Sequence, residues 1–325
     1  MALALLFFMA GTALGSQEQL MEGAKKEGKL VLYTAMQPED SDRLLRLYRS
    51  RYPFIDATYF RAGSAPLLNR ILSEIQARKH LFDAVSGKVS DLLFLKKKGV
   101  LAKLVSEELR YYDPRFKDPE GYYVDIYSNY YTIAYHRTHV RPDEVPTRWD
   151  DLLEPKWSGG KIALDPRSYD WYFGMLTALG AKNGKAFVKR LSQNKPTFRE
   201  GNVLVTNLLA AGEFPLAITY AHLVERLRAK GAPVDWASLS PMIAVPISIA
   251  LPQRSPHPNA AQLFRDLVLS KEGADLLKDM GRVPTRNDVA PSAKRLDPKN
   301  LHLVPLHVSS DEIDAKEFRK IFGLD

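Results

Sequence analysis

The chain has 325 residues, of which 45% are hydrophobic, and this suits a globular protein with one large or two medium domains. It contains no cysteine, which excludes disulfides, thiol chemistry and cysteine metal sites. The 46 basic and 38 acidic side chains give a net charge of +8. The basic residues are dispersed apart from Lys96–Lys98, and no basic motif is interleaved with aromatic residues. This distribution argues against a nucleic-acid-binding protein.

The N-terminal segment is an apolar run that ends in small residues, with the sequence ALALLFFMAGTALGSQ. This run is too short for a transmembrane helix and is typical of the apolar core of a signal peptide. We therefore predict a cleaved signal peptide over residues 1–16 and a periplasmic location for the mature protein. Because the chain has no cysteine, a lipid anchor on a cysteine after the signal is excluded, and a freely diffusing protein is expected.

The region that follows repeats a strand, a turn and a helix. Short β-rich runs predict strands at Leu30–Thr34, Ala57–Phe60 and Ala84–Val85. The second strand turns into an apolar-periodic helix with Ser64 as its predicted cap, and the third is followed by a predicted turn at Ser86–Gly87. This order predicts an α/β fold in which helices flank a mainly parallel sheet.

The second half of the chain shows the same alternation. A turn at Asp165–Ser168 joins a strand to a helix, and the β-branched run Ile243–Leu251 carries Pro246, which marks an edge or a bend. The other predicted strands are Asn129–Tyr135, Lys161–Leu164 and Leu216–Thr219, and the later predicted helices are Pro258–Leu269 and Lys271–Met280.

Tyr220 stands at the junction of a strand and a helix. The apolar strand before it leads directly into a helix with Leu223 and Leu227 on one face. Ligands of open α/β sheets bind at such strand ends, because the free amides of the helix start point outward there. A phenol in this place can donate or accept a hydrogen bond, or bind a hard cation as phenolate.

Several segments in the same order resemble the periplasmic solute-binding proteins of the ferric-ion-binding type, the capture subunits of bacterial ABC importers. They include LVLYTAMQPED (Leu30–Asp40), Ala210–Trp236, SPHPNAAQLFRDLVLSKEGADLL (Ser255–Leu277) and GRVPTRNDV (Gly281–Val289). The resemblance implies a two-lobe, type II periplasmic binding protein in which each lobe is a mixed sheet flanked by helices and two strands form the hinge. It places lobe 1 at residues 17–128, lobe 2 at 129–243, and a return to lobe 1 with a tail across the lobes at 244–325.

If the strand ends of both lobes face one cleft, five turns converge there and supply hydroxyls, helix-end amides and arginines. Arg61 and Arg167 fork onto a carboxylate or phosphate in this hypothesis, and removing Arg167 weakens anion binding by about 1.5–3 kcal/mol. The predicted ligand contacts are Tyr220, Arg61, Ser64, Arg167 and Ser168, with Thr34 and Gly87 as weaker additions. They favour a small anionic solute of the carboxylate, phosphate or phosphonate type.

Iron is the alternative ligand. Relatives of the ferric type carry two adjacent tyrosines, whereas this chain has Tyr220 followed by Ala221, so one phenolate is missing. Tyr220 is a predicted metal ligand only if Fe³⁺ is bound, in that case together with an anion, and His222 is a possible substitute for the missing phenol. No resident cofactor is predicted, since Fe³⁺ would be cargo.

Two other functions stay open at this point. An enzyme on the same scaffold is one, although the sequence shows no nucleophile and base in a recognisable pattern. A receptor that signals to a membrane sensor is the other. We predict a non-enzymatic importer component that binds a small molecule or ion, hands it to an inner-membrane permease, binds no nucleic acid and is monomeric.

Overall fold

The computed structural model describes residues 17–307 and 315–324. The predicted signal peptide at residues 1–16 lies outside this part of the chain. None of the helices in the described ranges is long and apolar enough to cross a membrane.

The chain divides into two compact units. Unit 1 contains the described residues up to Ile126, together with Ile247–Met280 and Thr285–Val289. Unit 2 contains Tyr127–Pro246, Gly281–Pro284 and the described residues from Ala290 onward. The boundaries predicted from the sequence, after residues 128 and 243, fall on the same two strands as the observed ones. The tail from Ala290 groups with unit 2, whereas the sequence interpretation placed it across both lobes.

Unit 1 is built on parallel strands that alternate with helices. Strand β1 pairs in parallel with β2 on one side and β3 on the other, and β3 pairs antiparallel with the second half of β9. The elements of this unit are α1 (17–27), β1 (Lys29–Thr34), α2 (Pro38–Arg51), β2 (Asp56–Arg61), α3 (Ser64–Gln76), β3 (Ala84–Lys88), α4 (Val89–Lys97), the start of β4 (Val124–His136), the end of β9 (Met242–Ala250), α9 (Pro258–Leu269) and α10 (Lys271–Asp279).

Unit 2 has a mixed sheet in the order β4-β7-β5-β6. Strand β5 runs parallel to β6 and β7, whereas β4 is antiparallel to β7 and β8, and β10 pairs in parallel with the first half of β9. Its elements are β4, β5 (Ile162–Leu164), α5 (Tyr169–Leu179), α6 (Ala181–Gln193), β6 (Thr197–Phe198), α7 (Asn202–Ala210), β7 (Leu216–Tyr220), α8 (Ala221–Arg228), β8 (Val234–Trp236), β9, β10 (Leu303–Pro305) and α11 (Ala315–Phe322).

Short 3₁₀ helices connect these elements at Glu107–Tyr111, Pro114–Phe116, Pro142–Glu144, Trp149–Leu153, Pro155–Trp157, Lys294–Leu296 and Pro298–Asn300.

Each unit has its own apolar core. In unit 1 Tyr33, Phe82 and Leu92 are buried between the sheet and its helices. In unit 2 the core contains Trp171, which is fully buried, and reaches the tail through Phe318 of α11. Burial of this much apolar surface is the main favourable term in folding each unit.

The predicted α/β fold of parallel strands and flanking helices is confirmed, with two local corrections. The N-cap of α3 is Gly63, so Ser64 is the first residue of the helix and not its cap. Gly87 is not in a turn, because β3 continues to Lys88 and pairs Gly87 with Ser248 of β9. The sequence also missed α6 and α7, which lie between the predicted strands of unit 2.

Candidate functional site

Three strand ends lie at one edge of the unit 2 sheet. Strands β5, β6 and β7 are parallel, and each is followed by a turn or directly by a helix, namely α5, α7 and α8. We call the residues at these three helix starts the unit 2 edge. Because the carboxyl ends of parallel strands point the same way, the N-terminal amides of all three helices are at this edge.

The helix starts at the unit 2 edge lack side-chain caps. The N-cap residues of α5, α7 and α8 are Ser168, Gly201 and Tyr220, and none of their side chains accepts a helix amide among the described residues. Helices α2, α3, α4 and α6 begin without a side-chain cap too, whereas in α10 Ser270 Oγ accepts from Gly273 N at 3.2 Å. In α9 the carboxylate of Glu27 accepts from two amides of the first turn. The uncapped amides of the unit 2 edge are therefore donors suited to an anion.

Ser168 is the N-cap of α5 and is fully buried. Its Oγ finds no hydrogen-bond partner among the described residues. The turn before it is fixed by Asp165, whose Oδ1 accepts from Arg167 N at 3.0 Å and whose carbonyl accepts from Ser168 N at 3.0 Å. A buried hydroxyl without a partner costs free energy, so its retention at this position fits a contact with a ligand.

Asn202 opens helix α7 and was not predicted from the sequence. Its amide Oδ1 is buried and likewise finds no partner within the described part of the chain. A half-turn of the amide exchanges its oxygen and its NH₂ group, so Asn202 is able to present a donor. The signal that pointed to it was weak, because the strand before it has two residues and the helix contains β-branched side chains.

Tyr220 is the last residue of β7 and the N-cap of α8, as predicted. Its ring lies 4.5 Å from the ring of Tyr131, the residue opposite it on β4. Burial, the neighbouring Tyr131 and the carboxylate of Asp170 raise the pKa of Tyr220 well above its ordinary value. The phenol is therefore protonated and is a hydrogen-bond donor at neutral pH.

His222 lies in the first turn of α8 and is buried. Its Nε2 is 2.7 Å from Nη1 of Arg282, and its Nδ1 finds no partner in the described ranges. Because arginine only donates, Nε2 is the acceptor and Nδ1 carries the proton. Neither ring nitrogen then offers a lone pair to a metal, which argues against His222 as the substitute iron ligand.

Arg167 is paired with an acidic side chain. Its Nη1 lies 3.0 Å from Glu200 Oε1, its Nε lies 3.8 Å from Asp165 Oδ1, and its side chain is 57% exposed. Both the partner and the solvent weaken the field that this guanidinium presents to a ligand. The structure thus places Arg167 beside Ser168 at the unit 2 edge, but as one member of an exposed ion pair.

Two of the predicted contacts of unit 1, Thr34 and Arg61, also come together at strand ends. The register places Thr34 beside Arg61 of β2 and Ser86 of β3. Thr34 Oγ1 accepts from Met36 N at 3.0 Å, and Arg61 Nε donates to Met36 O at 3.2 Å, so both side chains hold the turn before α2. Ser86 Oγ is buried and finds no partner among the described residues of the chain.

The described residues hold no group of three or more His, Cys, Asp or Glu side chains that could bind a metal ion. Phenols are outside that set, and Tyr131 and Tyr220 bring two of them together, with ring centres 4.5 Å apart.

Comparison with known protein families identifies the family to which the chain belongs. Residues 32–283 match the family described as bacterial extracellular solute-binding protein. The chain belongs to this family. The resemblance to solute-binding proteins that was noted in the sequence is thereby confirmed.

Relatives of this solute-binding protein are distant in sequence and similar in fold. An uncharacterized protein of Haemophilus influenzae is 22% identical over 315 residues, which cover 91% of this chain and 89% of that protein. Iron-bound HitA from Pseudomonas aeruginosa has a TM-score of 0.79 at 20% identity, covering 91% of this chain and 98% of HitA. The periplasmic binding protein AfuA from Actinobacillus pleuropneumoniae, with exogenous fructose-6-phosphate bound, has a TM-score of 0.75 at 20% identity, covering 91% and 97%. The solute-binding protein thus has the fold of periplasmic binding proteins.

Proposed function

We propose that this protein is the substrate-binding component of an ABC importer and captures a small anionic solute of the carboxylate, phosphate or phosphonate type. Family membership supports the capture of a solute. The observation that supports an anionic solute is the unit 2 edge. It contains three helix starts without side-chain caps and the hydroxyl of Ser168, which is buried and finds no partner among the described residues. Uncapped amides and a hydroxyl donor stabilise negative charge and repel cations.

The solute is transferred to an inner-membrane permease in this proposal, and no catalytic step is involved. The mature protein is periplasmic after removal of residues 1–16. Mass spectrometry of the protein exported from a bacterial host tests the processing, because cleavage removes the apolar N-terminal run from the intact mass.

Calorimetry with Ser168→Ala tests the anion site. The probes are inorganic phosphate, citrate and fructose 6-phosphate. We expect the variant to lose about 1.5 kcal/mol of binding free energy for the anion that binds best, because a hydrogen bond to a charged group is removed. The same variant should unfold no more easily than wild type, since alanine replaces a hydroxyl that is buried without a partner.

Ser192→Ala is the matched control. Ser192 lies near the end of α6, and its Oγ donates to Lys189 O at 2.8 Å on the exposed surface. Its replacement should leave anion binding unchanged. The proposed anion site at the unit 2 edge is wrong if the wild-type protein binds none of phosphate, citrate and fructose 6-phosphate. It is also wrong if both serine variants bind these anions as wild type does.

Ferric iron is the second candidate, because the fold brings Tyr131 next to Tyr220 and so supplies a second phenol that Ala221 cannot. Two phenolates suit a hard trivalent cation. The carboxylates of Asp165 and Asp170 act on Tyr220 electrostatically and add negative charge near the pair. HitA, which has a similar fold, binds iron.

Visible absorption during titration with ferric citrate separates the two candidates. A phenolate-to-iron charge-transfer band that weakens in Tyr131→Phe and disappears in Tyr220→Phe would establish the iron receptor. A wild-type protein that binds citrate in calorimetry without such a band would leave the anion as the ligand.

A further inference from the structure

Five side chains of unit 2 are linked by a series of four contacts. The rings of Tyr131 and Tyr220 are 4.5 Å apart, and those of Tyr220 and His222 are 5.8 Å apart. Arg282 Nη1 lies 2.7 Å from His222 Nε2, and the Arg282 guanidinium lies 5.1 Å from the ring centre of Tyr127. Because Tyr127 and Tyr131 both belong to β4, the series returns to the strand on which it began.

Asn129 lies on β4 between the two tyrosines. Alternate residues of a strand project to the same face, so Asn129 shares its face with Tyr127 and Tyr131 and lies between them along the strand. Its side chain is buried, at 8% exposure, and its Oδ1 finds no partner among the described residues. Backbone pairing fixes this segment, since Ser128 N donates to Val283 O at 3.0 Å, beside Arg282.

Two complementary groups of this part of unit 2 are therefore buried and find no partner among the described residues. His222 Nδ1 carries a proton, because Nε2 accepts from Arg282, and Asn129 Oδ1 is an acceptor. His222 and Arg282 are 2% and 6% exposed, so the surroundings are largely desolvated. Each unmet group costs free energy in such an environment, which makes the pair a strong selector for whatever satisfies both.

The chemistry of the pair decides what it can hold. An anion oxygen satisfies the imidazole N–H but not the amide oxygen, and it would meet the NH₂ group of Asn129 only after a half-turn of that amide. A metal ion satisfies the amide oxygen but meets a protonated imidazole nitrogen. A hydroxyl group satisfies both, since it accepts from His222 Nδ1 and donates to Asn129 Oδ1.

We propose that Asn129 and His222 form a hydroxyl-binding subsite, positioned by Arg282, and that the solute is a hydroxylated organic anion such as a hydroxy acid or a sugar phosphate. This inference rests on the proposed function and narrows its ligand class. The subsite lies next to Tyr220 and so adjoins the unit 2 edge, where the charged group of the same solute binds.

Matched ligand pairs that differ by one hydroxyl test the subsite in calorimetry. The carboxylate pairs are citrate with tricarballylate and malate with succinate, and the phosphate pair is propane-1,2-diol 1-phosphate with propyl phosphate. The wild-type protein should prefer the hydroxylated member of at least one pair by about tenfold or more, because the deoxy member leaves two buried polar groups unmet. The pair that shows the preference identifies the carboxylate or phosphate class.

Asn129→Leu is the test variant, since leucine has nearly the same size and offers no acceptor. It should lower affinity for the hydroxylated member to that of the deoxy member, whose own affinity should stay the same. Asn129→Ala is a second variant with a smaller side chain that also offers no acceptor, to be used if thermal unfolding shows that leucine disturbs the fold. Ser128→Ala is the matched control, because Ser128 is buried one residue away and projects to the other face of β4.

The outcomes are separable from those of the anion site. Loss of the preference in Asn129→Leu and its retention in Ser128→Ala would support the subsite. Wild-type binding without any preference within the pairs, or a preference that survives in Asn129→Leu, would overturn the subsite and leave the anion site standing. Equal weakening of both members by Asn129→Leu would also overturn it, because the amide would then act on the charged group. Absence of binding by every member would overturn both proposals.

Discussion

Arg282 donates a hydrogen bond from Nη1 to Nε2 of His222 across 2.7 Å, and both side chains are buried in unit 2. Burial, followed by the charges of Arg282 and Arg226, holds the pKa of His222 well below its ordinary value of 6.5. The imidazole is therefore neutral at physiological pH. The pair then carries the single positive charge of the guanidinium close to the start of α8.

His222 should make the free energy of unfolding depend on pH. Below pH 6.5 the unfolded chain takes up a proton on this histidine and the folded chain does not, so stability falls as the pH falls. The slope for one proton approaches about 1.4 kcal/mol per pH unit. His222→Gln keeps an acceptor for Arg282 and removes the titration. Urea unfolding between about pH 7 and pH 5 should therefore give a flatter curve for the variant than for wild type.

His136 provides the control for this measurement. Burial and the neighbouring His139 lower its pKa as well, so part of the wild-type slope comes from His136. His136→Gln should remove that part and keep the part that belongs to His222. Curves of equal slope for wild type and His222→Gln would show that the buried imidazole takes up its proton in the folded state too.

Much of the fold could be predicted from the sequence, because the local sequence signals agree with the tertiary structure. Helix α9 begins and ends at the predicted residues, Pro258 and Leu269, where proline suits the first turn and the apolar residues repeat with helical spacing. Helix α7 was missed because Gly201 precedes it instead of a hydroxyl or carboxylate cap, and β-branched residues weaken its helical signal.

The candidate site could be predicted only where its residues lie at the end of a strand. Tyr220 ends strand β7 and Ser168 closes the turn after β5, so their place at the sheet edge was readable from the pattern. The neighbours that complete the site come from distant segments. Tyr131 reaches Tyr220 through antiparallel pairing, and Arg282 reaches His222 across 60 residues of sequence, which no local period records.

Gly174 provides a test of packing in unit 2. A Cβ atom at this position of α5 would lie 2.2 Å from Ile243 Cγ2, and both residues belong to unit 2. We expect Gly174→Ala to lower the free energy of unfolding by about 1–3 kcal/mol, because the helix must move away from β9 to make room. Urea denaturation with a fit for the midpoint and slope measures the loss.

Gly87→Ala is the matched control in unit 1. Its added Cβ would lie 3.8 Å from Leu92 Cδ1, which is an ordinary contact. Alanine should leave the unfolding free energy within about 0.5 kcal/mol of wild type. If Gly174→Ala is tolerated equally well, the close approach of α5 to β9 does not hold in solution.

For Arg167 the structure changes the size of the expected effect on anion binding. The sequence alone predicts a loss of about 1.5–3 kcal/mol in anion binding for Arg167→Ala. Because the guanidinium is exposed and paired with Glu200 at 3.0 Å, we now expect about 1 kcal/mol or less. Calorimetry at low ionic strength, with the anion that binds wild type best, measures the difference.

Glu200→Gln tests the reason for that smaller effect. Removing the carboxylate charge frees the Arg167 guanidinium, so anion binding should tighten, and added salt should reduce the gain. The double variant Arg167→Ala/Glu200→Gln should not show the tightening if it acts through Arg167. If Arg167→Ala alone loses more than about 1.5 kcal/mol of binding free energy, the guanidinium leaves Glu200 when the anion binds. The contact of Arg167 with a carboxylate or phosphate that the sequence predicts would then be supported.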